Sequence, residues 1–178
     1  MKIFYDWEFE ENGVTIQPIT LGMVAENGQY IYLYNQDYVM SDVYDFQTEW
    51  LKEHVINNLL ATLPDGLQLM PNPTRGDSLA GSILEFVESL GDEKIELIAD
   101  YADYDHVCLA QRFGRMINMP EVLPWVTYDL KQWCDDLGVE PPKQTSKPHN
   151  ALHDAFYVKE SYEWLVNNYE HPKWSKTR

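Results

Sequence analysis

Residues 2–10 have the sequence KIFYDWEFE, in which one set of alternate positions is apolar and the other is mostly acidic. The apolar set is Ile3, Tyr5, Trp7 and Phe9, and the second set is Phe4, Asp6, Glu8 and Glu10. A period of two predicts a β-strand, so Asp6 and Glu8 should project from one face, about 6–7 Å apart. Carboxylates at that spacing suit Mg²⁺ or Mn²⁺ ions. A half-buried strand with a solvated acidic face would produce the same pattern.

A second acidic group follows a buried strand predicted at 95–100. Apolar residues at helical spacing then predict a helix near 104–118, with Asp105 at or near its first turn. A carboxylate there would also interact favourably with the helix dipole. Asp100 and Asp103 compete with Asp105 for any functional role, and the residues alone do not rank the three.

A third segment, residues 149–155, has the sequence HNALHDA and precedes an apolar helical pattern. Asn150 is the predicted N-cap, which places His149 just outside the helix and Asp154 about one turn inside it. An imidazole with a pKa near 6.5 suits a general base at neutral pH. Two alternatives remain open: a zinc site on His149 and His153, which lacks a further cysteine or histidine nearby, or two surface histidines.

Taken together, these three segments resemble the DEDDh 3′–5′ exonucleases over nearly the whole chain. The similarity is greatest to the mycobacterial-type, polyadenylate-preferring 3′–5′ exoribonucleases (ribonuclease AS-like). The matching stretches are FYD at 4–6, EF at 8–9, Glu26-x-Gly28, YDHV at 104–107, His149-x4-Asp154 and ALxDA at 151–155. The resemblance implies a ribonuclease-H-like (DnaQ-like) α/β fold and two divalent cations, Mg²⁺ or Mn²⁺. It implies Asp6, Glu8, Asp105 and Asp154 as metal ligands, and His149 as general base.

The activity implied by this resemblance is two-metal hydrolysis of single-stranded RNA from its 3′ end, with release of nucleoside 5′-monophosphates. A preference for adenylate-rich ends and a homodimer are implied in the same way. A 3′–5′ DNA exonuclease is the alternative within the enzyme class. A non-catalytic acidic protein that mimics nucleic acid would explain the net charge of −16 but not the histidine or the order of the segments.

Substrate contacts are expected from Trp7, Tyr104, His106 and Arg112, with Tyr101 as a further stacking candidate. Alternation along the strand assigns the Trp7 side chain to the core. Residues 1–110 contain 4 basic and 20 acidic groups, whereas residues 111–178 contain 9 of each. The C-terminal third is therefore the less repulsive part for phosphates, and Arg115, Lys143 and Lys147 join Arg112 as candidates to contact the RNA backbone.

The 178 residues fit one exonuclease domain at 1–170 and a polar tail at 171–178 that includes Trp174. No apolar run approaches the roughly 20 residues of a membrane span. Cys108 and Cys134 lie in predicted helices, which favours reduced thiols and a cytoplasmic location.

The remaining pattern predicts a mixed sheet with three antiparallel N-terminal strands, flanked by helices. The strands are expected near 2–9, 15–25, 29–35, 95–100 and 125–128, with a turn at Asn27-Gly28. Besides the helix near 104–118, helices are expected near 48–61, 77–90, 129–137 and 151–168, and a loop at 36–47.

Overall fold

The computed structural model describes residues 1–35, 37–40, 46–59, 79–91 and 94–170. Its strands are β1 (Lys2–Glu11), β2 (Ile16–Ala25), β3 (Tyr30–Tyr34), β4 (Glu96–Ala99) and β5 (Thr127–Asp129). Its α-helices are α1 (Phe46–His54), α2 (Leu79–Ser89), α3 (Asp103–Arg112), α4 (Leu130–Leu137) and α5 (Ala151–Asn168). Short 3₁₀ turns cover Ile56–Asn58 and Met116–Asn118.

The five strands form one mixed sheet in the order β3-β2-β1-β4-β5. The first three strands pair antiparallel, whereas β1, β4 and β5 pair parallel. Asp6 faces Gly22 across the β1–β2 ladder, and Ile3 faces Leu97 across the β1–β4 ladder. The predicted α/β class, with three antiparallel N-terminal strands, is therefore confirmed.

Both faces of the sheet carry helices. On one face, Ile3, Tyr5 and Trp7 of β1 join a buried cluster that includes residues of α2 and α3. On the other face, Phe4 packs among buried residues of α4 and α5. The alternation predicted for β1 is thus real, and it directs Asp6 and Glu8 to the face that α5 covers.

Local turn chemistry accounts for the elements that were predicted well. Gly28 adopts a left-handed φ of +89° in the β2–β3 turn, and its N–H donates to the carbonyl oxygen of Ala25. The last helix spans Ala151–Asn168, as predicted, and α4 ends before Gly138, whose φ of +66° is the left-handed C-cap conformation.

The predicted helix at 104–118 was wrong in its second half. The helix α3 ends at Arg112, Gly114 has a φ of +84°, and a separate 3₁₀ turn follows. A left-handed residue cannot continue a right-handed helix, although the apolar spacing runs on across it. The short strand lies at Thr127–Asp129 rather than 125–128, and Asp129 caps α4 by accepting from the N–H groups of Lys131 and Gln132.

The other boundaries shift by a few residues. The predicted helix at 48–61 is α1 followed by a 3₁₀ turn, and the helix at 77–90 corresponds to Leu79–Ser89. Residues 60–61 and 77–78, parts of the loop at 36–47, and the tail at 171–178 with Trp174 lie outside the described residues.

Cys108 and Cys134 are both buried free thiols. Within the part of the chain that the structure describes, no helix has the length and hydropathy needed to cross a bilayer.

Candidate active site

The start of α5 lies directly against the strands that carry and pair with the acidic residues of β1. Asp6 is paired with Gly22 of β2, and the backbone of Ala151 and Leu152 packs over that glycine. A Cβ atom at Gly22 would lie 2.2 Å from the carbonyl oxygen of Ala151. The absence of a side chain at this position therefore lets α5 approach the face from which Asp6 projects.

Asp154 lies in the first turn of α5, and the helix cap fixes it. The Asn150 side chain accepts from the N–H of His153 at 3.2 Å and donates to the Tyr32 hydroxyl at 3.3 Å. The Asn150 N–H in turn donates to Asp154 Oδ2 at 3.1 Å. Asn150 is thus the N-cap that the sequence predicted, and it positions Asp154 over β1.

Three carboxylates meet at this point. Asp6, Glu8 and Asp154 each offer an oxygen atom, and these oxygens all lie within 4.8 Å of one another. Within the described residues, this is the grouping with the donors and spacing of a metal site, and it includes neither His149 nor His153. Hard oxygen donors of this kind suit Mg²⁺ or Mn²⁺ rather than zinc.

Asp105 is attached to the same strand from the β4 side. The strand β4 ends at Ala99, so its ladder with β1 extends only to Phe4. Beyond that point the chain turns into α3, and Asp105 Oδ1 accepts from the backbone N–H of Trp7 at 2.7 Å. Asp105 is therefore held at the backbone between Asp6 and Glu8.

The structure distinguishes Asp105 from Asp103, two of the three aspartates that the sequence left unranked. Asp105 is 5% exposed and reaches β1, whereas Asp103 lies exposed on the same helical turn. Asp100 and Asp105 both line the cavity above the cluster, but Asp103 is not among its lining residues.

All four clustered carboxyl groups have raised pKa values. Burial is the largest cause for each, and repulsion between the carboxylates adds to it for Asp6 and Glu8. The pKa of Glu8 rises to about 8 and that of Asp105 to about 7, while the pKa of Asp6 lies well above its ordinary value. A Gln144 side-chain hydrogen bond lowers the pKa of Asp154 and partly offsets its burial.

The cluster opens into a cavity of about 400 Å³ that also contains His149. Its lining residues include Asp6, Trp7, Glu8, Phe9, Asp100, Tyr101, Tyr104, Asp105, Gln144, Pro148, His149, Asp154, Tyr157 and Val158. Among the described residues, the non-glycine residues with left-handed φ are Tyr101 at 55° and His149 at 63°, and both line this cavity. Such backbone strain is concentrated at functional sites.

Two curated relatives come from Mycobacterium tuberculosis, strains CDC 1551 / Oshkosh and H37Rv, and both are named 3′–5′ exoribonucleases. Each is 34% identical to this chain over 160 residues, which cover 87% of the chain and 87% of the relative. This chain belongs to that family of 3′–5′ exoribonucleases. No family model matches the sequence.

Of the four residues that the sequence predicted as substrate contacts in this exoribonuclease, Trp7 and Tyr104 line the cavity. Trp7 does so although its side chain is 3% exposed, and Tyr104 is about half exposed and stacks on Phe9 with ring centroids 5.7 Å apart. His106 and Arg112 are not among the lining residues. His106 Nε2 lies 3.0 Å from the Trp125 carbonyl oxygen, and Arg112 Nε donates to the carbonyl oxygen of Cys108.

Sequence reasoning missed Gln144, whose Nε2 atom donates to Asp154 Oδ1 at 2.5 Å. It also missed the neighbours of His149, whose ring lies edge-on to Trp50 with centroids 4.7 Å apart. Neither contact follows a local pattern, because each joins segments that only the fold brings together. Lys147, a candidate for contact with the RNA backbone, donates instead to Asn58 Oδ1.

Proposed function

We propose that this protein is a metal-dependent 3′–5′ exoribonuclease of the DEDDh type, which releases nucleoside 5′-monophosphates from single-stranded RNA. The observation that carries the proposal is the meeting of four desolvated carboxyl groups, from three separate segments, beside one imidazole in one cavity. The names of the two relatives support RNA as the substrate class. A preference for adenylate-rich 3′ ends remains a prediction from the resemblance.

The donor set fits divalent cations. Asp6, Glu8 and Asp154 offer oxygens within 4.8 Å of one another, and Asp105 lies at the backbone between Asp6 and Glu8. Together these four carboxylates would hold two ions, Mg²⁺ or Mn²⁺, because a cation relieves the repulsion between them. When bound, such a pair supplies Lewis acidity at the scissile phosphate and stabilises charge on the attacking and leaving oxygens. Because folding places these carboxyl groups together, metal uptake would release their protons.

His149 is the proposed general base. Its ring lines the cavity, and its charged form is attracted electrostatically to Asp154. An imidazole in this position would take a proton from the attacking water, a role that histidine commonly fills. Tyr104 is the proposed contact for the terminal nucleotide, and the stacked Phe9–Tyr104 pair offers an aromatic surface to a base. The Trp7 side chain is buried in the core, so the predicted contact of Trp7 with a base is not proposed.

We further propose a single ribonuclease-H-like (DnaQ-like) domain over residues 1–170, which the mixed five-stranded sheet with helices on both faces supports. A nucleic-acid mimic would need its acidic groups on the surface, whereas Glu8 and Asp105 are buried. Assembly as a homodimer and a cytoplasmic location remain predictions.

The test is a degradation assay on 5′-labelled single strands of matched RNA and DNA, of mixed sequence and of oligo-A, with Mg²⁺, Mn²⁺ or a chelator. Asp105→Asn should abolish shortening, and the matched Asp103→Asn variant on the same helical turn should retain it. Stepwise, metal-dependent shortening from the 3′ end is expected, and the ratio of RNA to DNA cleavage identifies the substrate class. Absence of shortening with every metal, or full activity of Asp105→Asn, would refute the proposal.

A further inference from the structure

The helix α1 presents two stacked aromatic rings to the segment that carries His149. Leu51 and Val55 bury one side of the helix region against Ile19 of β2. Trp50 and His54 are four residues apart and so share a helix face, with ring centroids 4.7 Å apart and planes 11° from parallel. His54 Nδ1 also lies 3.0 Å from the Trp50 carbonyl oxygen. The pair is therefore a defined surface on a packed helix.

The imidazole of His149 contacts this surface. Its ring meets Trp50 edge-on, with centroids 4.7 Å apart and planes at 77°, and lies 6.0 Å from the His54 ring at 88°. Edge-to-face contacts at such distances are favourable for aromatic rings. His149 lines the cavity, whereas Trp50 and His54 are not among its lining residues. Trp50 therefore touches the proposed base rather than the space in which a substrate would lie.

A second contact ties the same segment to the same region. The Lys147 ammonium donates to Asn58 Oδ1, and the buried Asn58 side chain donates through Nδ2 to the carbonyl oxygen of His54. Lys147 precedes His149 by two residues. The segment is therefore held at two points, by the Lys147 side chain on Asn58 and by the His149 ring on Trp50.

The backbone of His149 needs such support. Its φ of 63° lies in the left-handed region, which side chains with a Cβ atom rarely adopt and which persists where the surroundings enforce it. On the C-terminal side the Asn150 cap fixes the chain. On the N-terminal side and at the ring, the enforcing contacts are those made with Asn58 and Trp50.

We propose that Trp50 is a positioning residue for His149, and that the Lys147–Asn58 hydrogen bond supports the same placement. Trp50 acts through the imidazole and does not contact the RNA. This role rests on the proposed function, in which His149 is the general base.

The first test measures the contact without any catalysis. In the NMR spectrum of the metal-free protein, the His149 ring resonances, assigned by their loss in His149→Ala, should shift in Trp50→Ala because the indole ring current is removed. Trp164→Ala is the matched control, since Trp164 packs on Tyr169 elsewhere on the molecule, and it should leave them in place. Unshifted resonances in a folded Trp50→Ala would overturn the contact.

The second test separates positioning from RNA binding. On 5′-labelled RNA with Mg²⁺, Trp50→Ala should lower kcat about tenfold or more, because small misplacement of a catalytic group is costly, and should change KM less than twofold. Trp50→Phe, which keeps an aromatic ring, should recover most of the rate. In the His149→Ala background the same substitution should have less than a twofold effect, since its action passes through the lost ring.

The results that would contradict these expectations distinguish failure of the positioning role from failure of the proposed function. A raised KM with unchanged kcat would indicate that Trp50 contacts RNA, and an equal loss of rate in both backgrounds would show that Trp50 does not act through His149; either would overturn the positioning role. An active wild type with an unimpaired Trp50→Ala would overturn that role alone. A wild type that shortens no RNA would refute the proposed function and, with it, the catalytic meaning of a contact that NMR still detects.

Discussion

Substitution of Gly22 by alanine should move the two halves of the candidate site apart. The new Cβ atom would lie 2.2 Å from the carbonyl oxygen of Ala151, about 1.2 Å short of the 3.4 Å at which ordinary contact begins. The obstructing atoms are helix backbone, including the Leu152 Cα atom at 2.5 Å, so no side chain can rotate away. The start of α5 must therefore shift from β2 by about 1 Å, and Asp154 must shift with it relative to Asp6.

The expected cost follows from the size of that shift. Overpacking of a well-packed interior typically costs 1–3 kcal/mol, and a clash of the new Cβ atom with helix backbone falls at the upper end, about 3 kcal/mol. A displacement of about 1 Å between catalytic groups costs about 100-fold in rate. Gly22→Ala should therefore be less stable than the wild type and much slower, with the loss of rate exceeding any loss of folded protein.

Urea unfolding followed by circular dichroism gives the stability, and single-turnover cleavage of labelled RNA with Mg²⁺ gives the rate. Gly81→Ala is the matched control, because Gly81 lies in α2 and, among the described residues, no atom beyond its chain neighbours and its own helix backbone lies within 4 Å of the added Cβ. It should leave the rate unchanged and stabilise the helix by about 1 kcal/mol. If Gly22→Ala unfolds and cleaves like the wild type, the close approach of α5 does not set the geometry of the site.

Three further predictions concern the carboxyl cluster. Asp6→Asn should raise the melting temperature in EDTA, because it removes one of several mutually repelling groups, and should abolish metal-dependent cleavage; a lower calorimetric melting temperature in EDTA would contradict this. Gln144→Ala should weaken Mn²⁺ binding about tenfold, since Gln144 supports Asp154, while the exposed Gln132→Ala should not; calorimetric titration compares them, and equal affinities would exclude the support. The metal-free protein should lose stability as the pH rises from about 4 to about 8, because Glu8 and Asp105 have folded pKa values of about 8 and 7, well above those of an unfolded chain. Mg²⁺ should then stabilise the protein more at pH 8 than at pH 5. Urea unfolding at both pH values gives the free energy of unfolding, and a stability of the metal-free protein that stays constant or increases with pH would contradict the prediction.

The elements that the sequence predicted well are those with local causes. The alternation of apolar and acidic residues predicted β1 and the face of the sheet from which Asp6 projects. The turn at Gly28 marked the boundary between β2 and β3, and the cap at Asn150 marked the start of α5. The helix near 104–118 failed because a single left-handed residue, Gly114, overrides apolar spacing that continues beyond it. Periodicity reports which side chains could be buried together, and it does not report where the backbone stops being helical.

The site was predictable only in part, because some of its residues are placed by tertiary contacts that local sequence patterns do not report. Asp103 and Asp105 both lie in the first turn of α3, where either carboxylate would interact favourably with the helix dipole. The sequence alone therefore did not show which of them belongs to the site. Asp105 reaches β1 because β4 stops at Ala99 and leaves the Trp7 N–H to a side-chain acceptor. That consequence depends on the relative lengths of two strands far apart in sequence. The contact of Trp50 with His149 likewise joins residues far apart in sequence, whereas Gln144 and Asp154 are ten residues apart and meet because of the path that the chain takes before α5.

A net charge of −16 looks adverse for an enzyme that binds RNA, although bound cations would neutralise the carboxylates of the site itself. The basic candidates provide little compensation. Lys147 and Arg112 each commit one donor to a neutral oxygen, of Asn58 and of Cys108, and Arg115 and Lys143 are exposed, so these four cations are set against a large acidic excess. Affinity gained through counterion release grows with the number of phosphates contacted, so a long strand would be held weakly along its length. Under the proposed function, the hold on RNA then comes mainly from the 3′-terminal nucleotide in the carboxylate-lined cavity, which favours trimming from an end over cleavage within a strand.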